Sequence, residues 1–398
     1  MNRLFRLLSL LCLSIGCLFV LHSSQNTLAE TNTESKTRLL CLNIGKADAM
    51  LLWTNDQVFL IDAGYEHTYS ALETAFREFG ITHLNGVFLT HAHEDHEGGL
   101  SHLANSDIEV DAWYASRIFY DVKASKHPLY LAALQRGDEV TWLQSGHVIS
   151  VGDDARFEIL GPISVDSENE NNNSLVMKFA SPDGSILFAG DMKEEEEQDL
   201  LAKRLITACD FLKAGHHGDN KASSDALLRT VKPRAAFIST STIQEPDTPA
   251  RSTLSRLNNA GAQVFISQEL QDAALFTFEN GNISFEDYQW KTAPARIRGL
   301  SLSVDVSKDI AVITNQLSEE VSLSGTMLYS DKGNDIFPLP DITLLPGESY
   351  TIGSEKSSVS CDYIANKKRI WHDSKRDVAL LYDAYGRILC GTDNGFAE

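Results

Sequence analysis

Short apolar runs separated by polar turns dominate the first part of the chain. Residues 39–43 and 50–53 read as the arms of a hairpin, and residues 58–61 as a third strand ending in Asp62, Ala63 and Gly64. Ala71, Leu72, Ala75, Phe76 and Phe79 then recur at helical spacing and fall on one face, with Gly80 as the stop. Val87, Phe88 and Leu89 form a continuous apolar run, the pattern of a strand buried on both faces. Residues 108–113 resume strand character and residues 129–134 predict a short helix. Residues 156–160 and 175–179 bracket an acidic, asparagine-rich loop over 166–173, whose abrupt end at Ser174 places it near the chemistry described below. Further strands are predicted at 186–188, 211–214, 235–239 and 264–266. Helices are predicted at 192–202 and around Leu254 and Leu257, the latter closed by Gly261. In the first of these helices Glu194, Glu195, Glu196 and Glu197 suit the positive end of the helix dipole and are expected to face solvent. Strands and helices alternating in two blocks predict an α/β four-layer sandwich, with helices outside two mixed sheets.

The pattern changes near residues 292–298. Beyond it helical periodicity nearly disappears, and β-type runs recur at 311–314, 321–323, 326–329, 350–352 and 378–382. Turn signals lie between them at 330–333 and at Leu345, Pro346 and Gly347. A hydrolytic α/β domain over 36–290 followed by a small all-β sandwich over 296–398 is therefore expected, the second serving as a non-catalytic surface or binding domain.

At the other end, Arg3 and Arg6 precede a nearly unbroken apolar stretch over 7–21. A polar segment follows, with Thr27, Leu28 and Ala29 at a plausible cleavage point. The stretch is short of the roughly 20 residues a spanning helix needs, so residues 1–29 are expected to be a signal peptide or N-terminal anchor. The protein is then exported, whether periplasmic, extracellular or membrane-anchored facing outward. Cys12 and Cys17 fall in that segment; outside the cytoplasm Cys361 and Cys390 are the pair available to bridge, while Cys41 and Cys209 sit in apolar contexts that suit packing. A formal net charge of -21 over 398 residues argues against charge-driven tracking along nucleic acid. It does not forbid attack on a phosphodiester, because bound divalent ions reverse the local sign.

The chemistry is concentrated at strand ends. Directly after Val87, Phe88 and Leu89 comes the segment THAHEDHEGG, which carries His91, His93, Asp95 and His96. Imidazoles beside a carboxylate are what zinc or a similar borderline metal prefers. The run Ile186, Leu187, Phe188 ends in Ala189, Gly190 and Asp191, and residues 211–214 end in Gly215, His216, His217 and Gly218. Three strand ends delivering metal-binding side chains predict one site holding a pair of ions.

Taken together, these motifs resemble those of the metallo-β-lactamase fold superfamily, whose αββα sandwich they imply over roughly residues 39–286. Asn43 to Ala49 (NIGKADA), Ile61, Asp62, Ala63, Gly64, and Asn172, Asn173, Ser174, Leu175, Val176 resemble a narrower branch. That branch is found at the extracellular end of DNA-uptake channel (competence) proteins and also includes secreted phosphocholine esterases. The resemblance implies that His91 and His93 bind one ion, Asp95 and His96 a second, that Asp191 bridges, and that His217 is the distal ligand. His216 then contacts a phosphate or supports the ligands, with the reverse assignment of the two histidines as the alternative. His147, in the approach to a strand, does not fit the intermediate histidine ligand many superfamily members carry. Asp219 stands where the branch carries Ser, and Asp247 lies where it has a His-Pro element; both read as loop residues, with metal binding or water orientation as alternatives. The tail, through Val321 to Gly325, Leu345 to Glu348, Asp383 and Gly386, resembles a lamin-tail-like, immunoglobulin-type sandwich.

The implied activity is that of an exported hydrolase with two divalent metal ions, zinc or alternatively manganese, acting as a phosphodiesterase or nuclease through a metal-bound hydroxide. Asp95 and Asp191 would accept protons from water and His216 would protonate the leaving oxygen. The substrate would be a phosphate ester, such as nucleic acid or a phosphocholine-bearing polymer, and an envelope component would bind the C-terminal domain. Alternative readings are a lactam, lactone or thioester hydrolase on the same scaffold, or a non-catalytic envelope-binding protein with a structural or decayed metal site.

Overall fold

The computed structural model describes residues 36–119 and 124–396; the expected signal or anchor over 1–29 lies outside the described residues. Among the described residues no helix is long and apolar enough to cross a membrane.

Two sheets face each other. The first runs, in spatial order, Asn282–Tyr288, Ala273–Glu279, Thr37–Leu42, Ala49–Thr54, Gln57–Ala63, Gly86–Leu89, Trp113–Ser116 and Val140–Leu143. The second runs Gln263–Ile266, Ala235–Ile238, Phe211–Lys213, Gly184–Phe188, Val176–Ser181, Ala155–Gly161 and Val148–Val151. Strand periodicity explains how both faces of each are used. In Thr37–Leu42, Leu39 and Cys41 enter the core between the sheets, while Leu40 and Leu42 join the cluster under the helices. Phe88 likewise points between the sheets, with Val87 and Leu89 on the opposite face, which accounts for the unbroken apolar run. The inter-sheet core is rich in aromatics, including Phe59, Phe157, Phe179, Phe211 and Phe276. Helices Tyr69–Phe79 and Pro128–Arg136 cover the first sheet. Glu194–Ala202, Asp225–Val231 and Arg251–Asn259 cover the second. Helix, sheet, sheet and helix form the four layers of a mixed α/β core.

The acidic start of helix Glu194–Ala202 departs from expectation. Glu196 and Glu197 are buried rather than solvent-facing; the Glu197 carboxylate accepts the Ser223 and Ser224 amides at 2.6 and 2.9 Å. It thereby satisfies otherwise unpaired donors at the start of helix Asp225–Val231.

A smaller β-rich region follows. Leu300–Asp305, Ile310–Asn315, Ser349–Gly353 and Tyr363–Ile364 form one four-stranded sheet. Asp335–Pro338, Met327–Ser330, Val378–Tyr382 and Ile388–Asp393 form another, and the two enclose a core centred on Trp371, Ile313 and Leu381. Cys361 and Cys390 are unbridged. Cys390 lies in Ile388–Asp393 of the second sheet, whereas Cys361 sits against Gly353 at the edge of the first.

Strand Val378–Tyr382 is buried along its whole length. Ala379 and Leu381 fill the core of the C-terminal region, while Val378, Leu380 and Tyr382 point the other way and pack with Ile243 of the α/β core. On that side the His67 ring stacks on Tyr329 with centroids 3.9 Å apart, and its Nε2 lies 3.1 Å from the Tyr382 hydroxyl. Gly386 lies so close to helix Tyr69–Phe79 that a Cβ there would sit 2.6 Å from the Ala71 nitrogen.

Burial pushes the His67 pKa from 6.5 down to about 3. Between those values the unfolded chain binds a proton that the folded chain refuses, so the contribution of His67 is complete above pH 6.5 and is lost as pH falls toward 3. Denaturant titrations at pH 6.5, 5.5 and 4.5 should show His67→Gln flattening the decline in unfolding free energy by up to about 1.4 kcal/mol per pH unit. An unchanged slope would contradict a neutral, buried imidazole at this seam.

Candidate metal centre

Each group of the site emerges where a strand stops. Gly86–Leu89 ends at Thr90, and the following turn carries His91 and His93 into the short helix Glu94–Glu97, which holds Asp95 and His96. Gly184–Phe188 ends at Gly190, whose φ of +52° and close approach to Ser174 leave no room for a Cβ. The next residue is Asp191, whose amide donates to Ser174 Oγ at 3.0 Å. Phe211–Lys213 leads into the Gly215–Gly218 turn, where His216 and His217 both adopt left-handed backbone, φ 42° and 51°. Such geometry costs of order 1–3 kcal/mol per non-glycine residue, and it sends the adjacent imidazoles to different places. His217 is fully buried; His216 lies at the edge of the cleft.

The structure brings together Asp95, His96, Asp191 and His217 in one group and His91, His93 and Asp191 in a second, so Asp191 belongs to both. Asp191 Oδ1 lies 3.3 Å from His96 Nε2 and 3.5 Å from His217 Nε2, and His217 Nε2 lies 3.2 Å from Asp95 Oδ2. Asp191 Oδ2 lies 3.6 Å from His91 Nε2, and His91 Nε2 lies 3.0 Å from His93 Nδ1. Among the described residues the buried atoms His96 Nε2, Asp191 Oδ1 and His217 Nε2 have no hydrogen-bond partner. Ligand atoms about 2.1 Å from a tetrahedral ion stand about 3.4 Å apart, so unpartnered donors at these separations fit a divalent cation. His216 Nε2 is 3.7 Å from Asp191 Oδ2 and 3.2 Å from Asn171 Nδ2; its Nδ1 is 3.7 Å from Asp219. His147 is exposed in the turn that links Val140–Leu143 of the first sheet to Val148–Val151 of the second.

The ring nitrogens that face away from the cluster are held as well. His96 Nδ1 is 2.8 Å from Asp62 Oδ2, and Asp62 also accepts the Thr90 amide and hydroxyl, each at 2.8 Å. His217 Nδ1 donates to the Ser239 carbonyl at 2.9 Å. The Ser239 hydroxyl donates to Asp48 Oδ1, and Asp48 Oδ2 pairs at 2.8 Å with Lys213, whose side chain is wholly buried. Such partners fix tautomer and ring orientation. The sequence assigns no role to Lys213 or Ser239, and Asp48 and Asp62 are visible in it only as members of motifs. Lys46 was missed in the same way; its Nζ reaches Asp95 Oδ2 at 3.1 Å.

Electrostatics match that arrangement. Burial opposes ionisation of Asp95 and Asp191, but Lys46 and His96 outweigh it at Asp95, and His96, His217 and His91 outweigh it at Asp191, holding both carboxyls well below their usual range. His96 is driven the opposite way: burial disfavours its charge, yet Asp191, Asp62 and Asp95 raise its pKa well above the ordinary value. A field that favours a proton on His96 equally favours a cation beside it.

The cluster opens beside a cleft of about 830 Å³. Lys46, His216, Asp219 and the segment Glu245, Pro246, Asp247, Thr248, Pro249, Ala250, Arg251 line it. Asp219 is pulled down to about 2, since the neighbouring His216 and the hydrogen bond from the Lys221 amide outweigh burial.

The family model described as the metallo-beta-lactamase superfamily matches residues 42–242. Curated relatives include "ComE operon protein 3" of Bacillus subtilis, 25% identical over 266 residues, covering 61% of this chain and 32% of that protein. "Recombination protein 2" of Haemophilus influenzae is 27% identical over 267 residues, covering 65% and 31%. "Competence protein ComA" of Neisseria gonorrhoeae is 23% identical over 277 residues, covering 67% and 36%. The chain thus spans about a third of the length of these relatives. Among solved structures, the metallo hydrolase Igni18 of Ignicoccus hospitalis aligns with 64% of this chain and 100% of its own at 14% identity and a TM-score of 0.41.

Lys213→Ala would leave Asp48 as a buried, unpaired carboxylate. The expected loss of unfolding free energy is about 3–5 kcal/mol, measured by urea denaturation. Adding Asp48→Asn should recover part of it; a single-variant loss below about 1 kcal/mol would show the pair to be exposed in solution.

Proposed function

Since the chain belongs to the metallo-beta-lactamase superfamily, we propose that it is a metal-dependent hydrolase whose binuclear centre acts on phosphate esters, phosphodiesters above all. The convergence of Asp95, His96, Asp191 and His217, with their buried ligand atoms unpartnered, carries this reading. His91, His93 and Asp191 would hold one divalent ion and Asp95, His96, Asp191 and His217 the other. When bound, such ions acidify water and offset negative charge that develops at the reacting centre.

The chain's own residues supply the rest. Asp62 and the Ser239 carbonyl orient the His96 and His217 imidazoles. Asp95 and Asp191 remain ionised at neutral pH and are available to take up a proton. His216, hydrogen-bonded to Asn171 and facing Asp219 at the cleft edge, is the group suited to return one to the leaving oxygen. Lys46 and Arg251 give the cleft two cations able to attract an anionic ester. Relatives named as a competence protein and a recombination protein support a nucleic-acid-like phosphodiester.

We further assign residues 36–290 to the hydrolase domain and 296–398 to an immunoglobulin-like, lamin-tail type sandwich that contacts an envelope component, with residues 1–29 directing export.

Metal analysis after loading with Zn or Mn should find about two ions per chain, and loaded protein should hydrolyse bis(4-nitrophenyl) phosphate. Changing both His91 and Asp191 to Ala is expected to lower bound metal to one ion or fewer and to reduce turnover by at least about a hundredfold. A loss below about tenfold would reject the assigned site. Metal binding with turnover only on lactams, lactones or thioesters would reassign the substrate, and metal binding with no turnover would favour a non-catalytic protein.

A further inference from the structure

The C-terminal β-rich region reaches the cleft through one side chain. Arg376 lies two residues before strand Val378–Tyr382 and its side chain is 11% exposed. Its Nε pairs with Asp393 Oδ2 at 3.2 Å, which anchors it to the last strand of its own region. The other two nitrogens cross to the α/β core, where Nη1 donates to the Gln244 carbonyl at 2.8 Å and Nη2 donates to the Ile243 carbonyl. A planar guanidinium fork can engage two successive carbonyls, which a lysine ammonium cannot do in the same geometry.

The grip is relayed onward. Gln244 Oε1 accepts the Lys46 amide at 2.9 Å, and the Lys46 side chain extends to Asp95. Ile243 is also pinned by its side chain against Val378, Leu380 and Tyr382. Past Gln244 the chain becomes the wall of the cleft, tethered by the Glu245 amide to the Ser241 carbonyl, the Thr248 amide to the Glu245 carbonyl and the Ala250 amide to the Gly218 carbonyl. That wall and the Lys46 turn both line the cleft and share Gln244 as a support.

We propose that Arg376 is a positioning residue for the metal cleft: by clamping Ile243 and Gln244 it fixes both the 243–250 wall and the turn that carries Lys46. The C-terminal region therefore determines where the cleft presents its cations to an anionic substrate, a consequence that rests on the hydrolase reading above.

Amide hydrogen exchange resolved to single residues, on the full metal-free chain, tests the clamp directly. Arg376→Ala should accelerate exchange at the Lys46 and Glu245 amides by at least about tenfold while amides of strand Gly184–Phe188 keep their rates. Arg376→Lys should fall between. Gln244→Ala should accelerate Lys46 alone. With Mn and bis(4-nitrophenyl) phosphate, Arg376→Ala should raise KM by about threefold to tenfold and leave kcat within about twofold. Unchanged Lys46 exchange in Arg376→Ala, or acceleration spread equally over Gly184–Phe188, would overturn the proposal. Should Arg376→Ala fail to fold, unchanged Lys46 exchange in Gln244→Ala would overturn it. Wild-type protein that does not hydrolyse the ester would defeat the phosphodiester reading, while the exchange rates still decide the clamp.

Discussion

Burying Asp48, Asp62, Asp95 and Asp191 in one place is the constraint on which the rest of this structure depends. Carboxylates withdrawn from water are tolerable only when paired and hydrogen-bonded. Lys213 answers Asp48, Lys46 answers Asp95 and His96 answers Asp62. Asp191 has only imidazoles beside it and an oxygen with no partner. His96, His217 and His91 hold Asp191 ionised, and its unpartnered oxygen makes the site attractive to a divalent metal. Structure and chemistry meet in a single electrostatic requirement.

The fold meets that requirement by placing the acids and imidazoles at the ends of strands whose flanks are packed on both faces. Gly86–Leu89, Gly184–Phe188 and Phe211–Lys213 are buried in the sandwich almost throughout, so the residues just beyond them inherit fixed positions. The backbone then bends sharply. Asp62, His216 and His217 have positive φ, which turns each side chain off the strand axis and into the cluster or the cleft, and positive φ at Gly190 redirects the chain just before Asp191. Strain of this kind survives only where surrounding packing over-determines it, and here the inter-sheet aromatics provide that packing.

Much of this was legible in the sequence because the signals are local. A strand followed by HAHEDH, or by Gly-Asp, announces itself within ten residues, and the alternation of strands and helices gives the layer order. What was not legible depends on partners far along the chain. Lys213 looks like any residue at a strand end until Asp48 is seen across the core. Glu197 follows the composition rule for an exposed helix start, yet its oxygens are committed to amides of the next helix. Cys361 and Cys390 share a region but not a sheet. The apolar run at 378–382 reads correctly as a strand, but sequence alone does not say that its outer face is covered by the α/β core.

That two-sided strand has a consequence for how such a chain can be rearranged. A sandwich whose sheet shows water a polar face can be moved between proteins as a unit. Here Val378, Leu380 and Tyr382 form an oily stripe that matches Ile243 and the ring of His67. Excising either half would bare complementary patches on both, inviting self-association. Any recombination that replaced the tail would have to bring an equally greasy counterpart, so the two parts are bound to evolve as a couple.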